Sequence, residues 1–288
     1  MEPRSWRVPA FDGIELQVFS WSDTGVPLVM LHGFGNDAHV WDDFAPAVAP
    51  YYRTLAFDLR GHGDSSRDPE LRYDHESMAS DVITVTEALS LGRFVLVGHS
   101  MGGRVAMRVA GKHPERLAGL VIVDAGPELD ARGVSRIRLD AVSEKPASFA
   151  SASEYEAFLS RAYPLASPHV LARMAHFGLR RDADGRLRPK TDPAFFRALE
   201  HESSEDAARR AAEETAALWE ALARTPCPTL VVRGAASDVL SPEVADRMAE
   251  AVLPRGSLVV VPRAGHSVMV DNPEGFREAV TSFVLGDA

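Results

Sequence analysis

One stretch decides the fold of this chain: Phe94-Val95-Leu96-Val97-Gly98-His99-Ser100-Met101-Gly102-Gly103. An apolar run typical of a buried strand ends at a glycine, a serine follows, and residues typical of a helix come next. A strand that turns sharply into a helix holds Ser100 in a strained conformation with its hydroxyl exposed, and the flanking glycines let strand and helix approach closely. The first amides of the helix face any anion that forms beside the hydroxyl. The stretch therefore predicts a nucleophile and half of an oxyanion hole.

The composition is typical of a large globular protein. With 288 residues, 45% of them hydrophobic, the chain is long enough for one large α/β domain with an insertion or for two modest domains. The net charge is −10, and without a Lys/Arg cluster this argues against nucleic acid or a membrane as a partner.

The sequence also bears on location and cofactors. It contains no apolar run of about 18 residues that spans a bilayer, and its first residues predict no secretory signal. The single cysteine, Cys227, forms no internal disulfide, which agrees with a reducing compartment. We therefore expect a cytoplasmic protein. Because the histidines and acidic residues form no metal-ligand pattern, we expect neither a metal nor another cofactor.

Short apolar runs alternate with longer helical patterns, which predicts an α/β fold with a mostly parallel sheet covered by helices on both faces. The expected strands are Glu15–Trp21, Pro27–Leu31, Thr54–Asp58, Phe94–Gly98, Leu120–Asp124, Thr229–Arg233 and Ser257–Val261. The expected helices lie around His39–Val48, His75–Leu89, Ser100–Lys112, Glu243–Val252 and Pro273–Val284.

The alternation stops between Pro127 and Arg224, where Ala, Arg, Glu, Ser and scattered aromatic residues replace the apolar runs. This change predicts a core formed by residues 1–126 and 226–288, with a helical insertion at 127–225. Inside the insertion, amphipathic spacing predicts three helices and the polar composition one loop. The helices are expected at Ser153–Ala162, Ser167–Phe177 and Glu205–Ala223, and the loop at Arg180–Pro193.

A serine nucleophile needs a base within hydrogen-bond reach and a third group that orients the base. His266 follows the last expected strand in a glycine-containing loop, which places it at the same carboxyl edge of the sheet as Ser100. Two carboxylates fit the third role, since Asp238 and Asp124 each follow the end of an expected strand. Position along the chain excludes neither.

A second oxyanion donor is expected in His32-Gly33-Phe34-Gly35, which follows the strand Pro27–Leu31. A glycine-rich turn there directs the Phe34 amide into the same space as the Met101 amide. His32 itself is expected to hold this loop in place.

Together, these motifs resemble the α/β-hydrolase fold superfamily, in the branch with a serine nucleophile and a helical cap. The resemblance rests on their identity, order and spacing, and it covers residues 8–126 and 226–286. The insertion at 127–225 matches only in position, where the family carries a variable cap. In this family the turn Asp58-Leu59-Arg60-Gly61-His62-Gly63-Asp64-Ser65 is mainly structural, so we expect Asp58 and Arg60 to be scaffold.

The resemblance implies that Ser100 is the nucleophile and His266 the general base and then acid, with the Phe34 and Met101 amides as oxyanion donors. It favours Asp238 over Asp124 as the orienting acid, because the family order is Ser, Asp, His with the acid one strand before the histidine.

The serine at the elbow also implies a reaction type. Relatives that act on epoxides or haloalkanes attack through an aspartate, so Ser100 disfavours an epoxide hydrolase. The expected activity is a carboxylesterase or lactonase that cleaves small to medium esters or lactones through an acyl-enzyme. A cofactor-free haloperoxidase (perhydrolase) or a carbon–carbon bond hydrolase on the same triad stays open, as does a receptor with slow turnover. The oligomeric state is not predicted.

Aromatic residues are expected to line an apolar substrate pocket between core and insertion, although aromatic residues at helical spacing are usually core. The candidates are Trp41, Tyr155, Phe158, Tyr163, Phe177 and Trp219.

Overall fold

A computed structural model describes residues 2–139, 147–196 and 204–286 of the chain. Within them, eight strands form one sheet in the order β1-β2-β4-β3-β5-β6-β9-β10. The strands β1 and β2 pair antiparallel, as do β2 and β4, and every other pair in this sheet is parallel. The strands are β1 Arg4–Pro9, β2 Glu15–Ser20, β3 Val26–Leu31, β4 Tyr52–Phe57, β5 Phe94–His99, β6 Leu117–Val123, β7 Leu179–Arg181, β8 Leu187–Pro189, β9 Thr229–Gly234 and β10 Gly256–Val261.

Helices cover both faces of the sheet. Apolar residues of α2, α3 and α7 pack in one core cluster, and those of α1, α9 and α10 pack in a second cluster on the other face. The helices are α1 Ala45–Val48, α2 His75–Ala88, α3 Met101–Lys112, α4 Ala131–Arg138, α5 Ala152–Ala162, α6 Pro168–Phe177, α7 Ser204–Ala223, α8 Pro242–Asp246, α9 Val268–Asp271 and α10 Pro273–Leu285, with a π-helical segment Arg247–Val252 after α8. Short 3-10 segments occupy Phe11–Gly13, Ala38–Trp41, Pro114–Arg116 and Pro193–Phe196. None of these described helices is long and apolar enough to cross a membrane.

The apolar run that precedes Ser100 forms β5, a strand in the interior of the sheet. All six residues of β5 are buried, and β5 lies between β3 and β6. The sequences of parallel strands that are covered on both faces are continuous apolar runs. The expected mostly parallel sheet with helices on both faces is confirmed.

Several elements differ from the expectation, among them α4 and α9, which lie where no helix is predicted. The strand β1 was not expected because only Val8 of its six residues is buried, so this edge strand has no apolar alternation. The expected loop Arg180–Pro193 contains most of the hairpin β7–β8, which turns near Gly185 at a φ of +79°. The helix expected around His39–Val48 is split into Ala38–Trp41 and α1, with Pro46 in the first turn of α1, since proline is tolerated there and not in a helix interior.

The described residues between β6 and β9 form the helices α4 to α7 and one hairpin. Helix α6 packs against the 3-10 segment Ala38–Trp41, and α7 packs against α3. A third apolar cluster joins Phe149 to residues of α5 and α6. Of the segment 127–225, residues 140–146 and 197–203 lie outside the described part of the chain.

Candidate active site

Ser100 lies at a strained turn between β5 and α3. Its φ is +52° and its ψ is −116°, a conformation that costs a non-glycine residue about 1–3 kcal/mol. A Cβ on Gly98 would lie 2.3 Å from the carbonyl oxygen of Gly102, and one on Gly102 would lie 2.5 Å from that of Leu31. Only glycine fits at both positions, so the sequence pattern is explained by the close contact of strand and helix.

Ser100, His266 and Asp124 form a hydrogen-bonded series. Ser100 Oγ donates to His266 Nε2 at 2.9 Å, and His266 Nδ1 donates to Asp124 Oδ2 at 2.8 Å. Because a carboxylate only accepts, the partners assign the imidazole proton to Nδ1 and leave Nε2 to accept from the serine. Asp124 is fully buried, and its other oxygen accepts from the Gly234 amide at 3.0 Å. This arrangement allows the imidazole to take the Ser100 proton.

The preference for Asp238 as the residue that orients His266 is wrong. The Asp238 carboxylate instead accepts two hydrogen bonds from Arg136, at 2.7 and 2.8 Å, and its side chain is 36% exposed. These bonds from Arg136 lower the pKa of Asp238 below its ordinary value. The structure places the rival, Asp124, against His266, because β6 lies next to β5 and ends beside the serine.

A second hydroxyl, which the sequence analysis missed, supports Asp124. Ser237 Oγ donates to Asp124 Oδ2 at 2.5 Å and accepts from the amides of Val239 and Leu240 at 3.1 and 3.2 Å. Because the two amides occupy the acceptor sites of the hydroxyl, its hydrogen points to the carboxylate. The nearest sequence signal is that Ser237 directly precedes Asp238 in the loop after β9.

Replacing Ser237 with alanine is expected to lower kcat/KM about tenfold, because the Asp124 carboxylate loses one hydrogen bond and becomes less firmly oriented. The measurement is the pH profile of kcat/KM, since a purely structural loss leaves the profile unshifted. Ser237→Thr keeps the hydroxyl and is expected to restore most of the activity. Ser241→Ala, which removes a helix cap in the same loop, is the matched control, and equal losses in both alanine variants would contradict this role.

Two buried histidines hold the loops that carry the site. His99 Nε2 donates to the backbone oxygen of His266 at 3.0 Å, and burial, followed by the nearby His266, lowers the pKa of His99 well below its ordinary value. His32 Nε2 accepts from the Leu59 amide at 2.9 Å, and burial lowers the pKa of His32 to about 3. Both rings are therefore neutral supports, in agreement with the structural role expected for His32.

The loop after β3 packs directly on the elbow. A Cβ on Gly33 would come within 3.1 Å of Ser100 Cβ, and Phe34 lines the space beside Ser100. Met101 is the first residue of α3, where an amide has no acceptor within its own helix. Phe34 and Met101 thus border the region beside the hydroxyl, and the role of their amides as oxyanion donors stays a prediction.

Two cavities meet at Ser100. The first, of about 420 Å³, is bordered by His266 and is called the histidine-side cavity. The second, of about 750 Å³, is bordered by Met101 and is called the methionine-side cavity. Phe34, Ser100 and Ile137 line both. The nucleophile therefore has space on two sides.

The predicted aromatic pocket divides into two groups. Tyr155, Phe158 and Tyr163 line the histidine-side cavity, whereas Trp41, Phe177 and Trp219 are not among the described residues that border either cavity at Ser100.

Each of these three aromatic rings packs against other side chains. Trp41 is fully buried, with its ring centre 5.8 Å from that of Phe276. Phe177 stacks on His39 at 3.5 Å. Trp219 donates to Glu128 and lies under the guanidinium of Arg247 at 4.0 Å. Aromatic residues at helical spacing commonly pack against other side chains in this way.

Residues 28–279 match the family model described as the alpha/beta hydrolase family. The chain belongs to this family. It is therefore a hydrolase of the α/β family that acts on a small molecule.

Individual members of the α/β-hydrolase family agree with this assignment. The 2-(acetamidomethylene)succinate hydrolase of Mesorhizobium japonicum is 28% identical over 263 residues, which cover 91% of this chain and 88% of that protein. A crystal structure of E-2-(acetamidomethylene)succinate hydrolase superposes with a TM-score of 0.82 at 28% identity, over 99% of this chain and 100% of the other. A crystal structure of an alpha/beta hydrolase from Novosphingobium aromaticivorans gives a TM-score of 0.81 at 27% identity, over 99% and 98%.

Proposed function

We propose that this α/β hydrolase cleaves carboxylic esters or lactones through an acyl-enzyme on Ser100. The observation that carries the proposal is the hydrogen-bonded series from Ser100 through His266 to the buried Asp124. A serine hydroxyl becomes a nucleophile at neutral pH when an oriented imidazole accepts its proton.

The proposed reaction has two halves. Ser100 Oγ bonds to the carbonyl carbon as its proton passes to His266 Nε2, and the carbonyl oxygen becomes an oxyanion between the Phe34 and Met101 amides. The bond to the leaving group then breaks, and the leaving group takes the proton from His266. Water then bonds to the acyl carbon as its proton passes to His266 Nε2, and the bond to Ser100 Oγ breaks as Oγ takes that proton, which releases the acid and restores the serine. Losing either amide donor would raise the barrier by about 3 kcal/mol.

The segment 127–225 is proposed to act as a cap that selects the substrate. Tyr155, Phe158 and Tyr163 come from this segment and border the histidine-side cavity next to His266. Side chains that differ between caps would then change the substrate without changing the triad.

Cleavage of an activated amide is a second candidate. It is favoured by the relative named 2-(acetamidomethylene)succinate hydrolase, whose similarity extends over 91% of this chain. The same acyl-enzyme would form, and the leaving group would be a nitrogen instead of an oxygen. A panel of aryl esters, lactones and activated anilides separates these substrates by kcat/KM.

The acyl-enzyme itself gives the direct test. With p-nitrophenyl acetate, we expect a rapid burst of p-nitrophenolate, and acid quenching during the burst is expected to leave an acetyl group on the peptide that contains Ser100. Peptide mass spectrometry measures this adduct. The same protein unfolded in guanidinium is the control, because Ser100 then lacks His266. An acetyl group on another residue, or hydrolysis without any adduct on Ser100, would contradict the proposal.

A further inference from the structure

The two cavities at Ser100 differ in the reacting group that each one contacts. His266, with its neighbours Gly265 and Ser267, lines only the histidine-side cavity. Met101, whose amide begins α3, lines only the methionine-side cavity. A bound ester must place its two halves in these different surroundings.

Proton transfer decides which half goes where. The leaving group accepts a proton from His266 Nε2, and this transfer needs the two atoms within hydrogen-bond reach, about 3 Å. The leaving group therefore lies on the histidine side. The acyl carbon stays bonded to Ser100 with its oxygen near the Met101 amide, so the acyl chain extends away from the imidazole into the methionine-side cavity.

The side chains along the two cavities fit the same division. Apolar residues from several elements border the methionine-side cavity, among them Val134 and Ile137 of α4, Ala211 of α7, and Phe195. In the histidine-side cavity, Asn36 and the Arg136–Asp238 pair add polar groups. An apolar chain and a more polar leaving group match these surroundings.

Charged side chains that line the methionine-side cavity bind other groups of the protein. Arg104 donates to the carbonyl oxygens of Gly126 and Pro127 at 2.9 and 3.2 Å. His75 donates to Glu214 at 3.0 Å, and Arg108 also donates to Glu214. Asp74 and Glu76, which also line this cavity, accept from Ser77 and Lys112. Because these charged groups bind within the protein, the cavity does not require a charged end on the acyl chain.

From this geometry we propose that the methionine-side cavity binds the acyl chain, so that the enzyme prefers esters of apolar, medium-length acids over esters of acetate. This inference rests on the proposed ester or lactone hydrolysis. It goes further by assigning the acyl and leaving-group sites to named side chains.

Two tryptophan variants on α7 test the assignment. Ala211 and Ala216 are both exposed residues of this helix, and of the two only Ala211 lines the methionine-side cavity. In the parent enzyme we expect kcat/KM to rise up to about fourfold per methylene from p-nitrophenyl acetate to the hexanoate. Ala211→Trp is expected to lower the ratio of hexanoate to acetate kcat/KM about tenfold. Ala216→Trp is expected to leave this ratio unchanged.

A third variant tests the role of the histidine-side cavity. Leu165 lines the histidine-side cavity, so Leu165→Trp is expected to change the ratio between p-nitrophenyl and ethyl hexanoate and to leave the acyl-chain preference as it is. If Leu165→Trp changes the acyl preference and Ala211→Trp does not, the assignment of the cavities is reversed and the inference is overturned, while the proposed function stands. If neither ester acylates Ser100, the proposed function and the inference both fail.

Discussion

Replacing Asp124 with asparagine is expected to lower kcat/KM by about 10⁴-fold, as loss of the orienting carboxylate does in serine hydrolases generally. An amide in place of the carboxylate stabilises the wrong tautomer of His266, with the proton on Nε2, which then cannot accept from Ser100. The packing changes little, because the two side chains have the same shape. The measurement is kcat/KM for p-nitrophenyl hexanoate, together with the melting temperature to show that the variant is folded.

The matched control is Asp238→Asn. Asp238 is partly exposed and pairs with Arg136, and partly exposed ion pairs contribute about 0–1 kcal/mol. We expect kcat/KM to fall less than about tenfold in this variant. If both variants lost about 10⁴-fold, or if only the Asp238 variant did, Asp124 would not be the acid that orients His266.

The parts of the site that the sequence predicted are those defined by local chemistry. The turn from β5 to α3 needs glycine at 98 and 102, because Gly98 closely approaches Gly102 and Gly102 closely approaches Leu31 at the end of β3. Most of these contacts join residues a few positions apart, so the sequence pattern was sufficient to predict the turn. His266 follows β10 in a short loop at the same sheet edge as Ser100, so an approximate strand position was sufficient to place it.

The orienting acid could not be chosen in the same way. Asp124 and Asp238 both follow strands, and the choice depends on how two loops at the sheet edge arrange their side chains. The backbone of Asp124 has a φ of +45°, which the sequence does not indicate for an aspartate. Its carboxylate then receives hydrogen bonds from Gly234, Ser237 and His266, which lie more than 100 residues away in the chain. The order of the triad residues in the family favoured Asp238, whereas His266 binds Asp124 in the structure.

The aromatic residues show a second limit of sequence patterns. Helical spacing identifies side chains that are covered, but it does not distinguish packing in a core from packing beside a cavity. Trp41 and Tyr155 are both buried, yet only Tyr155 borders a cavity at Ser100. The difference depends on which elements face them, and that is a property of the tertiary structure.

Removing the Arg60 side chain, which lies outside the site, is expected to lower the stability of the protein strongly. It is fully buried, and its guanidinium donates to Asp81 at 2.6 and 2.8 Å and to Asp68 at 2.9 Å. Because Arg60→Ala leaves two buried carboxylates without this partner, we expect the free energy of unfolding to fall by about 3–5 kcal/mol. Urea unfolding followed by circular dichroism measures the change.

The control for Arg60→Ala is Arg4→Ala, which removes an ion pair with Asp23 whose two side chains are 67% and 59% exposed. Charges in such surroundings are largely solvated in the folded and unfolded chain alike, so this variant is expected to change the free energy of unfolding by less than about 1 kcal/mol. The two variants remove the same side chain and differ in burial. Equally small changes in both variants would mean that water or a local rearrangement replaces the hydrogen bonds that Asp68 and Asp81 lose. Arg60 would then not be what stabilises the turn after β4.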